Sequence, residues 1–133
     1  MSSLALHHVA IVVRDLAVSL PFYRDVFGLT ELERPPFSIG GAWLGAGDQQ
    51  VHLVVHPEGT FRDRGIDRND GHFAFRTDDF EAAVSRLAAL GFGENAQDED
   101  RRVEIYRTGI AGFPQLYMCD PDRNIVEING APL

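Results

Sequence analysis

Two stretches decide the fold: His8-Val9-Ala10-Ile11-Val12-Val13-Arg14-Asp15 and His72-Phe73-Ala74-Phe75-Arg76-Thr77-Asp78-Asp79. Each opens on a histidine, continues as a strand-like run, and closes on an aspartate at the same distance. The segment after each aspartate also repeats. Leu16, Leu20, Tyr23 and Phe27, joined by Val26, recur at helical spacing, and so do Phe80, Val84, Leu87 and Leu90. Asp15 is placed to cap the first helix, and Asp78 or Asp79 the second. Gly28 and Gly91 stop the helices, as a glycine just past a helix end does. Pro21 is awkward, because it lacks an N–H and crowds the preceding turn. A kinked or late-starting helix is expected there.

Leu6 to Val13 fits a largely buried strand. After the first helix, strands are expected over 30–33, 41–44 and 50–55, with Pro35-Pro36 and 45–48 as loops. After the second, strands are expected over 93–96, 103–108, 115–118 and 124–128, one more than in the first half. Asp120-Pro121-Asp122 forms a turn before the last of them. Residues 57–70, charged and without an apolar period, read as a connector between module one (4–56) and module two (71–129). Arg62, Arg64 and Arg68 in it read as a solvated face. Each helix covers only one face of its sheet, so pairing the modules would enclose a cleft between concave sheets.

The chain has 133 residues, enough for one domain or two small modules sharing a core. Its 44% hydrophobic content is ordinary for a globular protein. A net charge of -8 argues against a nucleic-acid partner, although local arginines would still allow an anionic small molecule. No apolar run approaches the roughly 20 residues of a membrane helix, so no membrane partner is expected. Met1 to Val13 lacks a basic start and is interrupted by His7 and His8, unlike a signal peptide. The single Cys119 cannot form an internal disulfide. A cytoplasmic protein is expected.

Four residues fall at equivalent places in the repeat. His8 and His72 open the first strands; His52 and Glu127 lie in the last ones. Val51 and Leu53 flank His52, and Val126 and Ile128 flank Glu127. Alternation turns the polar side chains away from these neighbours. A single strand histidine is more often hydrogen-bonded than a ligand, and a single glutamate more often solvated. Their joint placement outweighs that. Three imidazoles and a carboxylate suit Zn, Ni, Co, Fe or Mn better than Mg or Ca. A metal held there with open positions can polarise a carbonyl, stabilise an enediolate or ionise a water. His7 should point to the opposite face, His56 should be a loop residue, and Cys119 a small buried hydrophobe. Trp43, Tyr117 and Phe61 read as core or pocket lining. Phosphate-loop, CxxC and nucleophile-elbow motifs are absent.

The stretch from Leu6 through Asp15, then Ser19, Phe22-Tyr23 and Phe27-Gly28-Leu29, resembles the opening of the vicinal oxygen chelate superfamily of glyoxalases, bleomycin resistance proteins and extradiol dioxygenases. Asp120-Pro121-Asp122-Arg123-Asn124-Ile125-Val126-Glu127-Ile128 is similar to its closing signature, with Arg123 where glycine is common. Val51-His52-Leu53 and Gly71-His72-Phe73-Ala74-Phe75 resemble the landmarks between. The resemblance implies an α+β fold of two tandem βαβββ modules, forming a cupped, incompletely closed mixed sheet within a single glyoxalase-like domain over 1–133. It also implies a homodimer and one divalent metal per site on His8, His52, His72 and Glu127. His52 stands where glyoxalase I relatives carry Glu or Gln, and where dioxygenases and fosfomycin-type resistance enzymes have no ligand. The expected function is a metal-dependent lyase or isomerase acting on a small vicinally oxygenated substrate, with Glu127 as proton carrier. The alternatives are a non-haem Fe(II) or Mn(II) extradiol-type dioxygenase on His8, His72 and Glu127, with His52 as a base beyond the ligands, and a small-molecule or antibiotic-binding resistance protein without catalysis.

Overall fold

The repeated strand–helix pattern is realised twice in the computed structural model, which describes residues 3–132. The first half runs β1 (His8–Val13), α1 (Leu16–Val26), β2 (Thr30–Leu32), β3 (Gly41–Ala46) and β4 (Gln49–Val55). The second runs β5 (His72–Thr77), α2 (Phe80–Ala89), a 3-10 turn (Glu99–Arg101), β6 (Glu104–Tyr106), β7 (Gln115–Cys119) and β8 (Ile125–Gly130). The chain divides into two units between Thr60 and Phe61. Each unit holds an open four-stranded mixed sheet, ordered β1-β4-β3-β2 in one and β5-β8-β7-β6 in the other. In both, the first strand pairs in parallel with the last, and the remaining pairs are antiparallel.

Local chemistry explains the helix bounds. Asp15 accepts a hydrogen bond from the Ala17 N–H and Asp79 from the Ala82 N–H, each at 3.0 Å. Both satisfy an orphan donor at a helix start, and of the Asp78–Asp79 pair it is Asp79 that caps. Gly28 (φ 68) and Gly91 (φ 93) take the left-handed conformation just past the helix ends. The first helix does not begin late: α1 starts at Leu16 and runs through Pro21. One backbone bond is forfeited there, and burial of Ser19 and Tyr23 on the flanking turns offsets it.

The two cores follow strand alternation. Ile11, Val13, Leu44, Val51 and Leu53 are buried on one face of the first sheet, with Tyr23 of α1. Leu116, Met118, Val126 and Ile128 are buried in the second unit, with Phe80 and Leu87 of α2. Each such side chain contributes about 1.5–3 kcal/mol. β1 alternates rather than being buried throughout: His8 and Ala10 are exposed, while Ile11 and Val13 are buried.

Three further expectations change. Residues 93–96 are not a strand: Gly93 makes only an isolated bridge to Arg102, and the Ala96 N–H closes a turn on the Gly93 carbonyl. The second unit therefore has four strands, like the first. Leu90 caps α2 and is 40% exposed, outside the apolar stripe. The 57–70 stretch is not simply a solvated face. Arg62 pairs with Asp70 and donates to the Gly65 carbonyl, Arg64 lies 3.7 Å from Asp70, and Arg68 lies over the Tyr106 ring.

The contrast at the end of α2 is measurable. Leu87→Ala is expected to lower unfolding stability by about 2–5 kcal/mol, as buried leucine truncations do. Leu90→Ala should change it by less than about 1 kcal/mol. Urea denaturation of both variants checks this, and equal losses would contradict the burial described.

Candidate functional site

Pairing register sorts the polar side chains onto one face of each sheet. In the first unit His52 lies opposite Ala10 on β1 and opposite Trp43 on β3. Residues directly opposite share a face, as do those two apart on one strand. His8, Ala10, Trp43, Gln50 and His52 therefore stand together, opposite the helix-covered core. In the second unit Glu127 lies opposite Ala74 and Tyr117. His72, Ala74, Gln115, Tyr117, Glu127 and Asn129 stand together in the same way. The faces correspond position by position: His8 with His72, Ala10 with Ala74, Trp43 with Tyr117, and His52 with Glu127. The alanine methyl leaves room for the first- and last-strand side chains to meet across it.

In the first unit the His52 imidazole is sandwiched. The His8 ring stacks on it with centroids 3.9 Å apart and planes at 15°, and Trp43 stacks at 4.3 Å and 6°. Gln50 Oε1 lies 2.7 Å from His52 Nε2. An amide oxygen only accepts, so Nε2 carries the proton and Nδ1 the lone pair. Burial, then the His8 and His7 rings, then the Arg34 guanidinium hold the His52 pKa below the ordinary histidine range. The neutral ring that results is the metal-binding form.

In the second unit His72 Nε2 lies 3.2 Å from Glu127 Oε1. His72 Nδ1 lies 2.8 Å from the Asp70 carbonyl oxygen, which only accepts, so Nδ1 is the protonated nitrogen. A neutral ring then turns its Nε2 lone pair toward a carboxylate oxygen. Two lone pairs facing each other leave a position between them that suits a cation. The donor pair thus fits a metal ion, with the second nitrogen fixed by a carbonyl as is usual for ligating histidines. Glu127 is 5% exposed. Its Oε2 accepts from Asn129 Nδ2 at 2.7 Å and Gln115 Nε2 at 3.5 Å, leaving Oε1 directed at His72. Arg76 Nε in turn donates to Asn129 Oδ1 at 2.8 Å, which orients that amide.

The predicted residues are thus gathered as pairs, His8 with His52 and His72 with Glu127. No group of three or more His, Cys, Asp or Glu side chains set to hold a metal is found among the described residues. His7 does not point away from His8: it precedes β1, so strand alternation does not govern it, and its Nδ1 lies 2.9 Å from His8 Nδ1. His56 is exposed beyond β4, and Cys119 is buried, with burial raising its thiol pKa. Gln50, Gln115 and Asn129 went unnoticed in the sequence. Each stands two residues from His52, Tyr117 or Glu127, and that spacing was the available signal.

The glyoxalase/bleomycin resistance protein/dioxygenase superfamily model matches residues 5–128. Over 127 residues the chain is 27% identical to "Glyoxylase I 4" of Arabidopsis thaliana, covering 93% of this chain and 69% of that one. The solved lactoylglutathione lyase from Agrobacterium tumefaciens matches with a TM-score of 0.69 and 28% identity, over 98% of this chain and 96% of that one. The fosfomycin resistance protein FosX from Listeria monocytogenes shares the fold, with a TM-score of 0.67 and 19% identity, over 100% of this chain and 96% of that one.

The Tyr117 hydroxyl reports on Glu127. Burial first, then the Glu127 carboxylate, push its pKa above the ordinary tyrosine value. In alkaline ultraviolet titration, the phenolate signal missing from Tyr117→Phe should rise above pH ~10. Glu127→Gln should bring it down, though not fully, because burial remains. A midpoint near ~10 in both proteins would refute the arrangement.

Proposed function

The chain belongs to the glyoxalase/bleomycin resistance protein/dioxygenase superfamily, and we propose that within it the protein is a divalent-metal-dependent lyase or isomerase of the glyoxalase type, acting on a small vicinally oxygenated molecule. The observation that carries this is the buried Glu127 Oε1 set 3.2 Å from His72 Nε2, whose partner nitrogen faces a carbonyl. The names of the Arabidopsis and Agrobacterium relatives support the same reaction class. The proposed ligands are His8, His52, His72 and Glu127. A full set takes one histidine pair and one histidine–glutamate pair, and a homodimer would supply each kind twice. Such nitrogen-rich donors favour Zn, Ni, Co, Fe or Mn.

A divalent ion there would polarise neighbouring substrate oxygens and acidify the adjacent C–H. The chain's own residues do the rest. Asn129 and Gln115 hold Glu127 Oε2, so Oε1 is the oxygen positioned to take a proton and return it. Tyr117, kept protonated by burial and by Glu127, can donate its hydroxyl hydrogen to a substrate oxygen. Trp43 and Tyr117 supply flat apolar surface against which a small molecule can be oriented.

The ring stack favours a second reading. The His8 and His52 rings are stacked with planes at 15°, so their in-plane lone pairs do not converge on one point, and Gln50 already holds His52. On this reading His8, His72 and Glu127 would be the residues to hold an ion. Two histidines and a carboxylate with open positions are the ligand set of non-haem Fe(II) oxygenases.

Metal analysis tests both readings. Protein purified without added metal is expected to contain a divalent ion, and His72→Ala and Glu127→Ala to lower metal affinity at least tenfold. His52→Ala retains the metal under the three-ligand reading and weakens it under the four-ligand one. Turnover without oxygen marks the lyase or isomerase, and oxygen uptake with a catechol marks the oxygenase. Wild-type protein that takes up no divalent metal in equilibrium dialysis would remove the basis of both.

A further inference from the structure

Arg34 lies on the sheet face that carries the histidine pair of the first unit. Its Nη2 donates to the Ile39 carbonyl at 2.8 Å, and the guanidinium lies over the Phe37 ring, 4.9 Å from the centroid. Its Nε is buried with no hydrogen-bond partner, and among the described residues no carboxylate is paired with it. A guanidinium presents five donors in a fixed fork, and here one of them is engaged. Gly41 admits it. A Cβ at Gly41, on the face shared with Trp43, would run into the Arg34 guanidinium and the Leu53 carbonyl. The guanidinium therefore lies on the His8–His52–Trp43 face. Phe37, 54% exposed, packs 6.0 Å from Trp43 and extends that face with an aromatic surface.

We propose that Arg34 recognises an acidic group on the ligand, and that the ligand is a small vicinally oxygenated acid with a flat or apolar body. The proposal rests on the metal reading above and adds the substrate class to it. In an acidic protein the long-range field repels anions, so a local fork-shaped donor is what selects one. A concavity lined by Arg64 and Arg68 is less suited. It is a cavity of about 390 Å3 in the second unit, where Arg64 and Arg68 are accompanied by Asp67 and Glu104, so its charges balance.

A matched pair of probes tests the assignment. Protocatechuate carries vicinal oxygens at one end and a carboxylate at the other; its primary amide keeps the shape but replaces the charge and one acceptor oxygen with a neutral NH2. Calorimetric titration of the protein as purified should show the acid binding about tenfold tighter than the amide, the increment of one charge-assisted hydrogen bond. Arg34→Gln should reduce the preference to near parity, with a circular-dichroism spectrum and unfolding midpoint like the wild type's showing that the variant is folded. Arg34→Met, which keeps the stem over Phe37, should do the same. Arg34→Lys should retain part of the preference, and Arg68→Gln all of it. A wild-type protein without preference, or a preference that survives in Arg34→Gln and Arg34→Met, would overturn the proposal. Failure of the metal reading looks different: both probes would then bind equally well with and without EDTA, whatever residue stands at Arg34.

Discussion

Everything at the candidate site depends on the parallel pairing of the first strand of each module with its last. That pairing places Ala10 opposite His52 and Ala74 opposite Glu127. Because strand side chains alternate, a shift of one residue in either pair would turn a donor into the core and an aliphatic side chain out of it. Register is therefore enforced by the hydrophobic faces, and the donors inherit their positions from Val51, Leu53, Val126 and Ile128. A strongly apolar strand can carry one histidine or one carboxylate at its centre because its flanking residues pin it in place.

The two halves solve the problem of a buried polar side chain differently. His52 is neutral, held between two rings and bonded to Gln50. Glu127 is 5% exposed, with two amides on Oε2 and an imidazole in front of Oε1. An unpaired carboxylate in that position would be strongly disfavoured. The surrounding amides leave one oxygen directed outward, and this asymmetry separates a donor from a merely buried acid.

Period-two alternation and capping chemistry made the framework legible from residues alone. His8, His52, His72 and Glu127 could be grouped because each sits at a fixed place relative to Asp15, Gly28, Asp79 or Gly91. The extra strand over 93–96 failed for lack of a partner: strand formation is decided by pairing, and Gly93 finds only Arg102. His7 was misjudged because alternation was extended one residue beyond the strand that enforces it. The roles of Gln50, Gln115, Asn129 and Arg34 depend on which strand lies next to which, and composition does not carry that information.

The strand order also sets when each half can be completed. In either sheet the first strand waits for the last: β1 finds its parallel partner only in β4, and β5 only in β8. During synthesis from the N-terminus, β4 emerges while the second half is still unmade, so the first sheet can close with the chain half built. The second cannot close until Ile125–Gly130 is released. A chain truncated before Ile125 would thus lose Glu127 and leave β5 without its ladder at the same stroke. A nascent chain in that state has an unpaired edge and is a substrate for chaperones or proteases rather than an inactive but folded protein.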